Sequence, residues 1–286
     1  MTKIISNFLY AIIKTINFVY EKITKRNLTL NLKDLIEKDS YKKQTVLGEE
    51  ISFFTPNIVT SWRVDTFFEK EPETIDWINN FEGDNVIFWD IGANIGLYSI
   101  YTAIKFKKSN VISFEPSTSN LRVLSRNISI NNLQERIKIF QMPVAEQGNS
   151  FQILDESEFI EGWSMNTFGK GIDFKGDKII SKNNYKIFGT NLDFLIENKI
   201  LLIPDYIKID VDGIEHLILK GGKNFLADSK IKSVLIEINE NFKEQYDEAL
   251  KILKNSNFSI ISKNKNESFS SEKFSNTYNY IFKKSK

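Results

Sequence analysis

Four carboxylates stand at the ends of four short apolar runs: Asp90, Glu115, Asp210 and Glu237. Each run has the length and composition of a β-strand, and in open α/β sheets a ligand sits where such strands end. Around the first acid the chain reads Phe88-Trp89-Asp90-Ile91-Gly92-Ala93-Asn94-Ile95-Gly96-Leu97. Gly92 and Gly96 let backbone approach a ligand closely, where a side chain would collide. The helix opening near Gly96 offers unpaired N–H groups and a positive dipole end to an anionic group. A dinucleotide fingerprint would read Gly-x-Gly-x-x-Gly. Here Asn94 replaces the middle glycine, and Asp90 lies two residues before the first. An acid there repels a pyrophosphate but suits ammonium and sulfonium charge, which favours S-adenosylmethionine over NAD.

Glu115 follows Gly92 at close to the ~20-residue spacing at which an acid takes ribose hydroxyls in such folds. The cofactor-binding candidates are therefore Asp90, Gly92, Asn94, Gly96, Glu115 and Asp210. Asp210 and Asp212 flank the end of a later strand and are candidates for a general base. Glu237 ends the neighbouring strand and completes the catalytic set. Asp210, Asp212 and Glu237, with Asn239 and Glu240, could also hold a divalent cation through oxygen ligands. Against that, no metal site is expected, and Asp212 could simply cap the helix that follows. His216 falls between Glu215 and Lys220 and reads as a solvated histidine, with a base role open. Trp163, Ser164, Asn166 and Phe168 read as a mobile, glycine-bounded loop that could stack on a sugar. Trp62-Arg63-Val64-Asp65-Thr66 is a second segment able to close the site.

The elements that must position these residues follow from periodicity. From Val86 onward, short apolar runs alternate with helical patterns, which indicates a parallel α/β sheet. The polar stretch from about Glu146 to Phe188 interrupts this rhythm and reads as β-hairpins and loops. The first 80 residues look helical, with strand signal only at Glu50–Phe54, and Glu69–Pro72 reads as a linker. The expected organisation is a helical extension over 1–80 and a catalytic domain over 81–286. Late strands are expected near Phe258–Ser262 and Tyr278–Phe282, joined by a solvated loop at Lys263–Asn276. Lys283–Lys286 reads as a solvated tail.

Composition narrows the function. The 286 residues carry 38 Lys plus Arg and 37 Asp plus Glu, for a net charge of +1. That balance argues against binding nucleic acid through a broad basic surface. The chain has no cysteine, which excludes disulfides, thiolate catalysis and Cys-ligated metals, and its single histidine leaves no imidazole cluster. No run of about 18 apolar residues is present, so no membrane-spanning helix is expected. Residues 4–23 carry apolar side chains at helical spacing, with Lys14 breaking any signal-peptide core. That helix packs on the chain, docks a partner or lies on a membrane surface. The expected location is cytoplasmic, with peripheral membrane contact open.

The motifs together resemble the FkbM family of class I S-adenosylmethionine-dependent methyltransferases. Beyond the glycine loop, Thr190-Asn191-Leu192-Asp193-Phe194-Leu195 is similar to the family's Thr/Leu/Asp stretch. Pro204-Asp205-Tyr206-Ile207-Lys208-Ile209-Asp210-Val211-Asp212-Gly213-Ile214-Glu215 is similar to its signature, with Leu219-Lys220-Gly221 and Leu235-Ile236-Glu237 continuing it. One departure is Asp212, where the family usually has the longer Glu. The resemblance runs from about Phe88 to the C-terminus. It implies a Rossmann-like, seven-stranded, mostly parallel sheet with an antiparallel last strand. It also implies O-methylation of a hydroxyl, commonly on a saccharide or another small-molecule scaffold. Two rival readings are an NAD-type oxidoreductase and a non-catalytic binding module on the same fold.

Overall fold

The computed structural model describes residues 1–265 and 276–285. The chain opens with two helices, α1 (Thr2–Thr24) and α2 (Leu28–Lys38). A hairpin follows, β1 (Tyr41–Val46) and β2 (Glu49–Phe54), paired antiparallel. Its two-residue turn, Leu47-Gly48, has positive φ at both positions, 52° and 84°, the geometry that matches strand twist in tight hairpins. The sequence reading found only the second strand, because polar Lys42, Lys43 and Gln44 hide the first. Three short helices come next: α3 (Ile58–Asp65), α4 (Phe67–Lys70) and α5 (Pro72–Asn79).

The alternation then begins: β3 (Ile87–Ile91), α6 (Leu97–Lys105), β4 (Asn110–Phe114), α7 (Thr118–Ile130) and β5 (Ile137–Phe140). A separate three-stranded antiparallel sheet interrupts it, formed by β6 (Ser150–Glu156), β7 (Asn166–Phe168) and β8 (Asn183–Gly189). The rhythm resumes with α8 (Leu192–Glu197), β9 (Tyr206–Ile209), α9 (Glu215–Lys220), β10 (Ser233–Asn239) and α10 (Lys243–Asn255). The last strands are β11 (Phe258–Lys265) and β12 (Thr277–Lys284). Of the expected loop at Lys263–Asn276, the first three residues belong to β11, and residues 266–275 lie outside the described residues. Lys284, expected in a solvated tail, lies in β12 and donates to the Leu226 carbonyl.

The large sheet has seven strands in the order β11-β12-β10-β9-β3-β4-β5. β12 runs antiparallel to both neighbours, and the pairs from β10 to β5 are parallel. Alternation along each strand sends side chains to two covered faces. Phe88, Val111, Tyr206 and Leu235 face one apolar cluster, which also holds Val46, Phe53, Val64, Trp77 and Phe81. Trp89, Ile112, Ile207 and Ile236 face the other, covered by residues of α8, α9 and α10. The first cluster crosses the expected boundary at residue 80. Trp77 donates to the Ser233 hydroxyl at 2.9 Å, and Phe81 stacks on Tyr206 with ring centroids 3.7 Å apart. The expected linker at Glu69–Pro72 is likewise built in, because Glu71 is buried. Among the described residues, no helix is long and apolar enough to cross a membrane.

Candidate active site

Strand alternation and one tight loop build the site. After β3 ends, the N–H groups of Gly92 and Ala93 both donate to the Phe114 carbonyl at 3.0 Å. The chain then reverses through Asn94 and Gly96, which have φ of 51° and 88°. Gly92 is forced by its surroundings. Its φ is +88°, and a Cβ there would stand 1.9 Å from the Asp210 carbonyl oxygen. The overlap is with backbone, so it cannot relax by a side-chain turn. Gly92→Ala is expected to cost about 2–4 kcal/mol of stability, as left-handed strain and overpacking combine. Gly96→Ala carries the same left-handed strain, but its close contact, at 2.5 Å, is with the movable end of the Leu124 side chain, so it is expected to cost less. Thermal denaturation of both variants checks the order.

Beside this loop lies a cavity of about 520 Å³. Gly92, Asn94, Glu115, Asp210, Asp212 and Glu237 all line it. Six of the sequence-derived candidates therefore meet in one hollow at the strand ends. Two do not. Gly96 caps α6 behind the cavity wall. Asp90 is fully buried beneath the loop, not on the wall. Its Oδ2 accepts the Ser99 hydroxyl at 2.6 Å, and Ser113 in turn donates to Ser99 at 2.7 Å. Asp90 shares a sheet face with Lys208 and Ser113, its register partners, and that face points at α6. The expectation that Asp90 faces a ligand is thus corrected by strand alternation: it ties the first turn of α6 to two strands.

The carboxylates differ in surroundings. Glu115 is buried, and this pushes its pKa up to about 7, against hydrogen bonds from Ser117 and Asn94 that favour the charge. Ser117 N–H donates to Oε1 at 2.9 Å and Asn94 N–H to Oε2 at 2.8 Å. Each oxygen accepts one backbone donor and keeps acceptor capacity. Asp210 is ion-paired with Lys208 at 2.7 Å. Asp212 adopts φ +62°, in the left-handed region. Burial, then the neighbouring Asp210 charge, raises its pKa to about 6. Its Oδ2 accepts the Met165 N–H at 2.7 Å. It does not cap α9; Glu215 instead takes the Val211 and Gly213 N–H groups. Glu237 is raised well above the ordinary carboxylate range by burial and by the charges of Asp210, Asp212 and Glu215.

Behind the acids is a feature the sequence reading missed. Lys208 is 1% exposed in the middle of the sheet. Burial opposes its charge, but Asp210, Glu71 and Asp90 outweigh burial and raise its pKa. Its Nζ stands 5.0 Å from the Tyr98 ring centroid, and Tyr98 donates to Glu71 at 2.8 Å. Glu71 also pairs with Lys70 at 2.5 Å. Burial works against the Glu71 charge, yet Lys70 and Lys208 prevail and hold its pKa down at about 2. The signal was available: a lysine between isoleucines in a strand buried on both faces needs a paired charge. A small hollow of about 40 Å³ beside this cluster is lined by Arg63 and Lys70 together with the Gly92–Tyr98 loop.

A covering segment closes the large cavity. Trp163, Ser164, Asn166 and Phe168 line it, as do Trp62 and Arg63 of α3. The expected mobile loop is well tied in this structure. The Trp163 carbonyl accepts from Asn94 and from Asn120, each at 3.1 Å. Gly162 N–H donates to Asn120 at 2.8 Å, and its carbonyl accepts from Arg63. One further expectation is corrected. His216 is buried, not solvated, because α10 packs over α9; burial lowers its pKa to about 4. Asn239 and Glu240 do not join a cation site: Asn239 bonds the Phe174 carbonyl and the Asn241 N–H, and Glu240 bonds Lys263 and Tyr280. Among the described residues, no group of three or more His, Asp or Glu is arranged to hold a metal ion.

A seven-stranded sheet with one reversed strand, a glycine loop after β3 and acids at the strand ends define a class I methyltransferase. The chain belongs to the FkbM methyltransferase family, whose domain, described as "Methyltransferase FkbM domain", it matches over residues 90–260. It is therefore an enzyme of methyl transfer. It is 25% identical over 210 residues to methyltransferase sdnD of Sordaria araneosa, covering 67% of this chain and 76% of that protein. It is 23% identical over 201 residues to the hexuronic acid methyltransferase AglP of Haloferax volcanii, covering 68% and 72%. The solved FkbM methyltransferase from Methylobacillus flagellatus KT has a TM-score of 0.47 and 15% identity, covering 71% of this chain. The present chain spans 45% of that one.

Proposed function

We propose that this chain is an S-adenosylmethionine-dependent O-methyltransferase that acts on a hydroxyl of a saccharide or glycoconjugate. The observation that carries this reading is the single cavity shared by the glycine loop, four carboxylates and two tryptophans. Its residues fit the cofactor. Gly92 lines the cavity with bare backbone, and its lack of a Cβ lets the loop pack directly on the Asp210 carbonyl. Glu115 retains acceptor capacity for a vicinal diol. The buried Asn94 Oδ1 has no hydrogen-bond partner and suits a donor such as an ammonium. Arg63 and Lys70 suit the cofactor's carboxylate, and Asp210 its amino group. Bound there, the cofactor supplies an electrophilic methyl on a cationic sulfur.

The chain's own residues then have three tasks. Trp62 and Trp163 present aromatic faces to a sugar ring and exclude water. Glu237, whose burial beside Asp210 and Asp212 favours its protonated form, is placed to hydrogen-bond the acceptor and orient it. Asp212 takes the proton of the attacking hydroxyl, and Asp210, fixed by Lys208, keeps its place beside it. Asp90 acts indirectly, by seating α6. The catalytic portion, residues 81–286, thus takes Trp62, Arg63 and Lys70 from the 1–80 extension to complete its site. We assign the cytoplasm as its location on the same reading, because S-adenosylmethionine is made there.

The hexuronic acid named for the Haloferax volcanii relative supports a sugar acceptor, as do the paired tryptophans. The test is transfer from methyl-labelled S-adenosylmethionine to a panel of glycans, uronic acids included. Label recovered as a sugar O-methyl ether is the expected result. Transfer only to non-sugar hydroxyls, or to nitrogen or carbon, would overturn the acceptor assignment.

A further inference from the structure

Helix α1 is turned the wrong way round for a helix that packs on its own chain. Its polar stripe (Lys3, Asn7, Tyr10, Lys14, Asn17, Glu21 and Thr24, at alternating steps of four and three) includes the residue that faces α2. Asn17 is buried there, its Oδ1 accepting the N–H groups of Leu28 and Thr29 at 2.7 and 3.0 Å. This satisfies two orphan donors of the α2 N-terminus and fixes the helix pair. The apolar face therefore points outward. Ile4 is 74% exposed, Phe8 67% and Ile23 76%, with Leu9, Ile12, Ile16 and Val19 exposed between them.

Charge and width say what would cover this face. Residues 1–26 carry Lys3, Lys14, Lys22, Lys25 and Arg26 against Glu21 alone. A second copy would bring like charges together, with too few acids to pair them. A coiled-coil seam is narrow and flanked by charged pairs. Here the seam is flanked by Ile4 and Phe8 on one side and by Ile13 and Tyr20 on the other, which widens it to nearly half the helix circumference. A broad apolar face with basic residues on the remaining surface is the form of a helix that lies in a bilayer interface.

We propose that α1 docks this enzyme on an anionic membrane surface, with Phe8, Ile12, Ile16 and Val19 in the acyl boundary and the lysines on lipid headgroups. A chain of ion pairs connects the α1–α2 unit with the segment over the cavity. Glu37 of α2 pairs with Arg122 and Arg126 of α7, and Arg122 pairs with Glu161 of the segment covering the cavity.

The test is flotation of the full chain with vesicles of equal parts phosphatidylcholine and phosphatidylglycerol, and with phosphatidylcholine alone. Binding to the anionic vesicles that weakens with salt is expected. Ile12→Asp and Ile16→Asp, both at exposed positions, should each weaken it roughly tenfold or more. Circular dichroism of each variant confirms that the fold is retained. Sedimentation of the chain without lipid supplies the remaining arm. No flotation on anionic vesicles, equal flotation on neutral ones, or unchanged flotation of the Asp variants would each overturn the proposal. So would an α1-dependent dimer that leaves the vesicles unbound.

Discussion

Lys208→Met is expected to cost about 3–5 kcal/mol of folding stability, the usual penalty when one partner of a buried charge network is removed. Met keeps the length and volume of the stem, so lost packing contributes little. What remains is Asp210, Glu71 and Asp90 around an apolar side chain. In a chain of this size the melting temperature should fall by about 10 °C. The deficit should shrink on acidification. In the native protein the Glu71 pKa is held at about 2, below its ordinary 4.5, so its contribution is complete above 4.5 and fades as pH falls toward 2. Without Lys208 that contribution is reduced, and protonating the stranded acids relieves the variant more than the native protein. Urea denaturation at a series of pH values measures this. An equal deficit at every pH would mean that packing, not charge, is what Lys208 supplies.

Asp212→Asn is the corresponding prediction for activity. The amide keeps the shape and can still accept the Met165 N–H, but it cannot take a proton. Turnover should drop by roughly a hundredfold or more, the scale on which a positioned base contributes. The pH profile is the sharper readout. The Asp212 pKa is raised from 3.8 to about 6, so the base is protonated and idle below that value and active above it. The rate should therefore rise with pH through about 6 in the native enzyme, and this limb should vanish in the variant. Asp212→Glu, which restores the acid the family usually carries, should recover part of the rate. A variant that loses rate but keeps the limb would move the base to another carboxylate.

Much of this arrangement was legible in the sequence. Apolar runs alternating with helical patterns fix a parallel sheet, because only crossover helices can cover both of its faces. The glycine loop was legible for a stronger reason: at Gly92 a backbone oxygen of the next strand fills the space of a Cβ. The misreadings share one cause, which is that a linear reading does not show what packs on top. Asp90 closes an apolar run in the sequence as Glu115 does, yet it lies inside β3, in register with Ser113, and faces α6 and not the cavity. His216 lies between charged residues, and α10 covers it all the same. Strand β1 is polar because its hairpin lies at the margin of the core, where Phe53 and Phe54 of its partner do the burying. Lys70 was hardest to place, since it reaches the cavity from outside the family domain at 90–260 and, unlike Trp62 and Arg63, from outside the segment read as able to close the site.

The rival readings fail on particular residues. With Asp90 turned away from the cavity, the charges that would repel a pyrophosphate are those of Asp210, Asp212 and Glu237, which share the cavity with Gly92. A non-catalytic module would have no need of acids gathered from several strand ends, nor of a lysine buried to hold one of them. Family membership agrees with both arguments.

The central claim is that the hollow between Gly92, Glu115 and Asp210 is built for S-adenosylmethionine, and titration calorimetry on the full chain tests it most directly. S-adenosylmethionine and S-adenosylhomocysteine are each expected to bind at one equivalent, Glu115→Gln to weaken both, and NAD to give no heat. Binding of NAD in preference to the sulfonium cofactor, or no binding of either by the folded protein, would contradict it.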